Sequence, residues 1–179
     1  MKYKNNIPKP TVDMVVSLLD KWKNTKEITV PESALNNLFN VIYTNNDCLE
    51  EVLVKCVALN HFYNTNIFNI YRVAQHIVSL KIDCNLVDGD PLLVEKIAAV
   101  RINGKEKRFY SFASKYCSMH KPESYPIYDS YVAKVLKHFR DVDGFSKFTE
   151  ADLKNYTRFN EVIIEFKNYY HLNQFSLKI

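Results

Sequence analysis

Apolar residues recur every three or four positions along most of this chain, and that period constrains the fold more than any other feature. It is clearest in six stretches, which are residues 12–22, 34–42, 49–59, 67–80, 92–100 and 156–170. Such spacing places the apolar side chains on one face of a helix, which can then pack against its neighbours. Only three glycines occur in 179 residues, too few for the many tight turns of a β-sheet protein. The sequence therefore predicts an all-α fold of about eight helices without a strand pair.

The size and composition of the chain predict a single domain. Hydrophobic residues make up 47% of the sequence, enough for a packed interior, and no repeat or linker interrupts it. We expect residues 1–179 to form one all-α domain, or two helical lobes with the site between them. The apolar runs are short and broken by charges, so no membrane span is expected. The N-terminus lacks an apolar stretch of signal-peptide length, which predicts a cytoplasmic protein.

The segment from Tyr110 to Val132, YSFASKYCSMHKPESYPIYDSYV, contains two candidate catalytic groups. Lys115 lies on a short predicted helix among small and aromatic residues. A polar turn and an extended Tyr-Pro segment follow, because proline fixes φ and disfavours a helical conformation in the residue before it. Asp129 then stands where a new helix begins and is expected to cap it. A lysine and an aspartate are thus joined by a short aromatic connection.

Each of these two groups has a chemical and a structural interpretation. A lysine amine forms a Schiff base with a sugar aldehyde carbon when a partly dry site lowers its pKa. The carboxylate of Asp129 could stabilise developing positive charge or position a nucleophile. Most helical lysines are nevertheless solvated, and an aspartate at such a position more commonly acts as a plain helix cap. Catalysis requires Lys115 to be partly buried and within reach of Asp129 across a cleft.

Positive charge is concentrated in the middle of the chain. Residues 101–140 contain nine basic and three acidic residues, so they carry +6, whereas the whole chain carries +4. A basic segment on a nearly neutral remainder indicates an anionic partner, with nucleic acid as the first candidate. The alternative is a solvated basic face that binds no partner.

One segment of the chain is FASKYCSMHKPESYPIYDSYVAKVL, and it resembles the lysine-to-aspartate segment of the helix-hairpin-helix DNA glycosylases, in particular the bacterial 8-oxoguanine-glycosylase-like branch. The resemblance implies that Lys115 is the Schiff-base nucleophile and Asp129 the activating carboxylate. A second segment is LNHFYNTNIFNIYRVAQHI, similar to the family's segment around an asparagine that fills the gap left by a flipped nucleotide. It implies this role for Asn64, or for Asn60, with Tyr63 nearby.

The same resemblance implies a helix-hairpin-helix fold and a base-excision activity. The substrate would be duplex DNA with a damaged or modified base, for which 8-oxoguanine is the candidate. A base inside a duplex is unreachable, so the protein would extrude it into a pocket and hold it by stacking and edge contacts. Three tyrosines near the catalytic positions are candidates for that pocket, with core packing as the alternative: Tyr116, Tyr128 and Tyr131.

The chain departs from the family's pattern just before the lysine. Bifunctional family members carry a hairpin of the type Pro-Gly-Val-Gly, whose N–H groups hold a phosphate, but residues 107–111 contain no glycine. Either duplex binding is lost, or a shifted hairpin at Asn103-Gly104 contacts phosphate through three basic side chains, those of Lys105, Lys107 and Arg108. The lysine-to-aspartate spacing of 14 residues is also shorter than the family leads us to expect.

A non-enzymatic helical module that binds nucleic acid or a protein partner is the alternative function. In that case Lys115 would be exposed, and Asp129 would only cap its helix. Metal chemistry is not indicated, because Cys117 and His120 have the spacing of half a site and no second matching pair exists. We therefore predict no metal and no cofactor, and we expect the four cysteines to be buried thiols rather than disulfides.

Overall fold

The computed structural model describes residues 7–177, and the prediction of a mainly helical chain is confirmed. Nine α-helices lie in this range: α1 (Val12–Lys23), α2 (Lys26–Asn37), α3 (Leu49–Phe62), α4 (Ile70–Leu80), α5 (Asp83–Asp88), α6 (Leu92–Ala98), α7 (Tyr110–His120), α8 (Ser130–Asp143) and α9 (Tyr156–Tyr169). A π-helical turn at Leu38–Ile42 extends α2, and a 3-10 turn at Asp152–Lys154 precedes α9. None of the helices within residues 7–177 has the length and apolar content needed to cross a membrane.

Two short strands, β1 (Ala99–Ile102) and β2 (Lys105–Arg108), form an antiparallel hairpin that the sequence analysis did not predict. Its turn residues, Asn103 and Gly104, have positive φ angles of 51° and 76°, a conformation that Asn-Gly favours in two-residue hairpin turns. The expectation of a chain without a strand pair is therefore wrong at this place. Strands of four residues are too short for an alternating pattern to stand out, so the Asn-Gly pair was the main local signal.

Helix α2 begins earlier than the sequence pattern indicates. The second apolar stretch begins only at residue 34, whereas the helix begins at Lys26 and holds Pro31 in its interior. Proline is favoured in a first turn but removes a hydrogen bond from a helix interior. The prediction was wrong because residues 26–30 carry no apolar stripe that would mark them as helical.

Helix α7 is the most buried helix of the chain. Eight of its eleven residues are buried, and it packs against α3, α6 and the π-helical turn. One continuous cluster of buried apolar side chains extends from Leu35 to Leu172 and includes those of α7. A charged residue in the middle of such a helix lies inside the protein, and Lys115 is that residue.

Candidate functional site

A cavity of about 600 Å³ opens beside the first turns of α7 and α8 and the loop that follows α3. It is lined by six of the candidate catalytic, DNA-binding and base-pocket residues, namely Lys115, Asp129, Asn64, Arg108, Tyr128 and Tyr131, and also by Tyr63. The candidates outside it are Lys105, Lys107, Tyr116 and Asn60. The two segments that carry the family resemblance, although distant in sequence, therefore meet at one place.

Lys115 lies at the wall of this cavity and is only 4% exposed. Its Nζ atom donates hydrogen bonds to Ser111 Oγ at 2.7 Å and to the carbonyl oxygen of Tyr128 at 3.4 Å. The same atom lies 5.4 Å from the centroid of the Tyr63 ring. Burial lowers the pKa of Lys115 below its ordinary value of 10.5, while the charge of Asp129 acts in the opposite direction. The amine is therefore neutral, and so nucleophilic, more often than that of a solvated lysine.

Asp129 lies at the same cavity and is the N-cap of α8. Its Oδ1 atom accepts hydrogen bonds from the backbone N–H groups of Tyr131 and Val132, both at 2.9 Å. Within residues 7–177, its side chain forms no ion pair with Lys115. Capping and a cavity role were alternatives in the sequence, and the geometry allows both. The hydrogen bonds of the cap hold the carboxylate at the cavity wall, where its negative charge raises the pKa of Lys115 through space.

Ser114 holds the connection between these two groups in place, and the sequence analysis missed it. Its buried hydroxyl accepts a hydrogen bond from the N–H of Tyr128 at 3.0 Å and donates one to the carbonyl oxygen of Ser111 at 3.0 Å. The residue before Asp129 is thereby tied to α7, the helix that carries Lys115. The available signal was a small polar residue directly before the lysine, but the same helix has two other serines, Ser111 and Ser118, that the sequence alone does not distinguish from it.

Two cations, Arg108 and Lys154, line the cavity beside Tyr128. Arg108 forms an ion pair with Glu95 and donates a hydrogen bond to the carbonyl oxygen of Lys154 at 2.6 Å. Lys154 donates one to the Tyr128 hydroxyl at 2.8 Å. Sequence reasoning did not single out Lys154 or Glu95, because tertiary packing alone brings the 3-10 turn and α6 to this place.

The three candidate pocket tyrosines differ in their positions. Tyr131 is 75% exposed, while Tyr128 is buried with its ring 4.6 Å from the ring of Tyr110. Tyr116 is fully buried, and its hydroxyl donates a hydrogen bond to Asn46 Oδ1 at 2.6 Å. Tyr116 therefore belongs to the core, which was the alternative considered for these residues. Of the three tyrosines, only Tyr128 and Tyr131 line the cavity.

The loop after α3 places Asn64 at the cavity and leaves Phe68 fully exposed. Asn64 has a positive φ of 47°, a conformation that asparagine adopts more readily than most residues. Asn60 instead braces the loop, because its Oδ1 accepts hydrogen bonds from the Thr65 hydroxyl at 2.7 Å and the Ile67 N–H at 3.0 Å. Of the two asparagines, Asn64 is the one that lines the cavity. Phe68 was missed because nothing local distinguishes an exposed phenylalanine from one in the core.

The cysteine of the half metal site lies in the protein interior, and its histidine is partly buried. Cys117 is fully buried, and burial raises the pKa of its thiol. The ring of His120 is hydrogen-bonded to Asn46 Oδ1 at 3.2 Å, and burial lowers the pKa of His120 to about 3. In the part of the chain that the structure describes, no group of three or more His, Cys, Asp or Glu is arranged to hold a metal ion. The four cysteines are free thiols, but only Cys56 and Cys117 are buried. The expectation of a buried thiol is wrong for Cys48, which is partly exposed, and for Cys84, which is exposed.

The chain belongs to the HI_0787_N family, described as an N-terminal domain, whose model matches residues 14–124. The match includes the β-hairpin and Lys115 and ends before Asp129. The chain is also 52% identical over 122 residues, or 68% of its length, to a protein of Haemophilus influenzae described as an uncharacterized protein. It covers 61% of the length of that relative. No solved structure matches the chain.

Proposed function

We propose that this chain is a DNA-glycosylase-like protein that excises a damaged or modified base from duplex DNA at the cavity of Lys115 and Asp129. The observation that carries the proposal is the burial of Lys115 at that cavity, where no carboxylate of residues 7–177 pairs with its amine. A buried amine without an ion-pair partner destabilises a fold. A reaction that uses the neutral amine gives a reason for this position.

The proposed reaction joins the lysine to the sugar of an extruded nucleotide. The nitrogen of Lys115 bonds to C1′ while the bond from C1′ to the base breaks, and the base leaves with that electron pair and takes up a proton. Asp129 stabilises the positive charge that develops on the sugar. Opening of the sugar ring at O4′ then converts the adduct into a Schiff base, which borohydride reduces to a stable amine.

The fold assignment belongs to the same proposal. Helix α7 with Lys115, the turn after it and the Asp129 cap of α8 follow one another in the order of the glycosylase family's lysine-to-aspartate segment. The β-hairpin precedes α7 where the family has its glycine hairpin. We therefore assign a helix-hairpin-helix-like arrangement in which a β-hairpin replaces the phosphate-binding turn.

Basic side chains near the cavity are proposed to contact the phosphates of the duplex. Lys105 and Lys107 are exposed on β2, and Arg108 follows them at the cavity. Side-chain contacts of this kind give affinity that is independent of base sequence and decreases steeply with salt. Asn64 and the exposed ring of Phe68 are proposed to enter the space that the extruded nucleotide leaves, because stacking between bases removes an aromatic ring from water.

A non-enzymatic helical module that binds nucleic acid or a protein partner is the second candidate function. It is favoured by the contacts that two site residues already have, since Arg108 pairs with Glu95 and Asp129 caps α8. Neither residue needs a substrate to satisfy its charge. This function gives no reason for the burial of Lys115.

Borohydride trapping tests the proposed reaction directly. Wild-type protein is incubated with duplexes that contain 8-oxoguanine or an abasic site, reduced, and separated to measure the covalent adduct. We expect an adduct with wild type and none with Lys115→Gln. Lys154→Gln is the matched control, because it removes another lysine from the same cavity, and its adduct should be retained at saturating protein concentration. Circular dichroism establishes that both variants are folded.

Three results would contradict the proposal. An adduct that persists in Lys115→Gln would place the nucleophile elsewhere in the chain. Salt-dependent DNA binding by the wild type without any adduct would favour the non-enzymatic module. The absence of both adduct and DNA binding would exclude DNA as the substrate.

A further inference from the structure

A second cavity, of about 480 Å³, is bordered by residues of α1, α2, α7, α8 and α9. It shares Tyr63 and Asp129 with the Lys115 cavity. A volume of this size accommodates a small organic molecule. Most of its wall is apolar, and the apolar lining residues include Met119, Pro126, Ile127, Val132, Ile163 and Leu177. A ligand that fills this cavity therefore has an apolar body.

The carboxylate of Glu32 lies in this mainly apolar wall without a cation beside it. Its Oε2 atom accepts a hydrogen bond from the indole N–H of Trp22 at 3.0 Å, which is the only hydrogen bond of the Glu32 side chain within residues 7–177. None of the ion pairs in the same range includes Glu32. Burial raises the pKa of Glu32, and the hydrogen bond from Trp22 offsets only part of this rise. A cationic ligand would supply the counter-charge that this carboxylate lacks.

Two aromatic side chains, Trp22 and Tyr63, border the cavity together with Glu32. Trp22 is hydrogen-bonded to Glu32. Burial, together with the charge of Glu32, raises the pKa of the Tyr63 hydroxyl to about 12. Aromatic rings and carboxylates are the groups with which proteins attract organic ammonium ions. The three side chains thus provide the chemistry of a cation site in one place.

Other classes of ligand suit the second cavity less well. An anion would be repelled by Glu32 and Asp129, which both line it. A neutral apolar ligand would leave the Glu32 carboxylate without a counter-charge. Among the described residues, no group of three or more His, Cys, Asp or Glu is arranged to hold a metal ion. The whole chain carries +4, so its overall field does not attract cations, and a cation needs a specific site such as this one.

We propose that the second cavity binds a small amphiphilic amine. Its ammonium group donates a hydrogen bond to Glu32, and its apolar body packs against the wall that Met119, Ile127 and Val132 help to form. A primary amine suits the site because its ammonium group carries N–H donors for the carboxylate. Glu32 determines the specificity for a cation. This binding site does not depend on the proposed glycosylase activity.

The fluorescence of Trp22 reports binding in this cavity, because the chain has a single tryptophan and that residue lines it. Hexylamine, 1-hexanol and hexanoate are titrated separately into the wild-type protein at neutral pH. The three probes have the same apolar chain, and their head groups are cationic, neutral and anionic. We expect hexylamine to bind about tenfold or more tightly than either of the others, because only its head group forms a charge-assisted hydrogen bond with Glu32.

Glu32→Gln tests the role of the carboxylate. Glutamine keeps the size of the side chain and an oxygen that can accept the indole hydrogen bond, but it has no charge. The affinity for hexylamine should fall about tenfold or more, to that for 1-hexanol. Glu27→Gln removes the same charge from an exposed position on the same helix and should keep the wild-type affinity. Circular dichroism establishes that both variants are folded, and the comparison of probes on the wild type needs no variant.

Several outcomes would overturn the proposal. Equal affinities of the three probes for the wild type would exclude a cation site. An unchanged affinity for hexylamine in Glu32→Gln, or an equal loss in Glu27→Gln, would overturn the assignment of Glu32.

A fourth probe distinguishes a small amine from the side chain of a protein partner. Nα-acetyl-lysine methylamide carries the same ammonium group on an amino acid, and we expect it to bind more weakly than hexylamine because its polar amides do not suit an apolar wall. Tighter binding of this probe would replace the small amine with a lysine side chain of a partner. None of these measurements uses DNA or trapping of Lys115, so the proposed function is decided separately.

Discussion

Burial and the neighbouring carboxylate of Asp129 change the pKa of the Lys115 amine in opposite directions. Burial disfavours the ammonium form, and the charge of Asp129 favours it, with burial as the larger of the two causes. The pKa of Lys115 is therefore lower than 10.5, and the nucleophilic form appears at lower pH than for a solvated lysine. In the proposed reaction Asp129 has two effects, since it keeps Lys115 protonated longer and also stabilises the cationic sugar.

Replacing Asp129 by asparagine separates these two effects. Asparagine caps a helix about as well as aspartate, so α8 should remain intact. Loss of the negative charge should lower the pKa of Lys115 further and move the acid limb of the trapping rate to lower pH. The plateau rate should fall on the order of a hundredfold, because the cationic transition state loses its counter-charge.

The measurement is the single-turnover trapping rate on a duplex with 8-oxoguanine as a function of pH, for wild type and Asp129→Asn. In the wild type the rate should rise with pH, with a midpoint below 10.5. An unchanged plateau in Asp129→Asn would mean that Asp129 only caps α8.

Among the elements, the β-hairpin is the one that most distinguishes this chain from the glycosylase pattern. Its Asn103-Gly104 turn carries the positive φ angles, and β2 presents Lys105 and Lys107 as exposed side chains directly before α7. A glycine hairpin holds phosphate through backbone N–H groups, whereas this hairpin offers ammonium groups. Phosphate contact through flexible lysines should therefore depend strongly on salt.

The double variant Lys105→Gln/Lys107→Gln tests this role of the hairpin. If each lysine neutralises one phosphate, the slope of log affinity for duplex DNA against log salt should become shallower by about 2. Lys21→Gln/Lys23→Gln removes the same charge from exposed positions near the end of α1 and serves as the control. Equal effects of the two double variants would show that net charge, and not the hairpin, sets the affinity. Fluorescence anisotropy at several salt concentrations measures both slopes.

At the scale of the whole molecule, Asn46 joins elements that are distant in the sequence. This side chain is 1% exposed. Its Oδ1 accepts hydrogen bonds from Lys55 Nζ at 2.7 Å, from the Tyr116 hydroxyl at 2.6 Å and from the His120 ring at 3.2 Å, while its Nδ2 donates to Asp83 Oδ1 at 2.6 Å. The loop before α3 is thereby bound to α3, α5 and α7. The fully buried Lys55 depends on this network, and burial lowers its pKa to about 8.

Asn46→Ala should therefore destabilise the whole fold. It removes one of three acceptors from the buried Lys55 and leaves the Tyr116 hydroxyl without its acceptor. We expect the free energy of unfolding to decrease by about 3 kcal/mol. Asn45→Ala is the control, because Asn45 contacts Lys55 only through its backbone carbonyl, and its effect should be within about 0.5 kcal/mol. Urea unfolding followed by circular dichroism measures both, and equal values would contradict a structural role for the Asn46 network.

Most of the helices could be predicted from the sequence. The sequence also indicated that Lys115 lies a short distance along the chain before a helix that Asp129 caps, which is α8. The apolar period reports which residues share a helix face, and Asp129 stands where a cap is needed. The predictions that failed concern α2, whose start carries no apolar stripe, and the hairpin, whose strands are only four residues long. In both places, the residues that are close together in the sequence give little indication of the structure that they form.

The sequence by itself determined the mainly helical fold, the cap at Asp129 and the presence of a lysine on a helix rich in small and aromatic residues. Only the tertiary structure decided that Lys115 is buried, that Tyr116 points to Asn46, and that Glu32 borders the neighbouring cavity. The physical reason is the range of the interactions. Helix periods and caps depend on residues two to four positions apart, whereas each cavity forms where elements from several parts of the chain pack together.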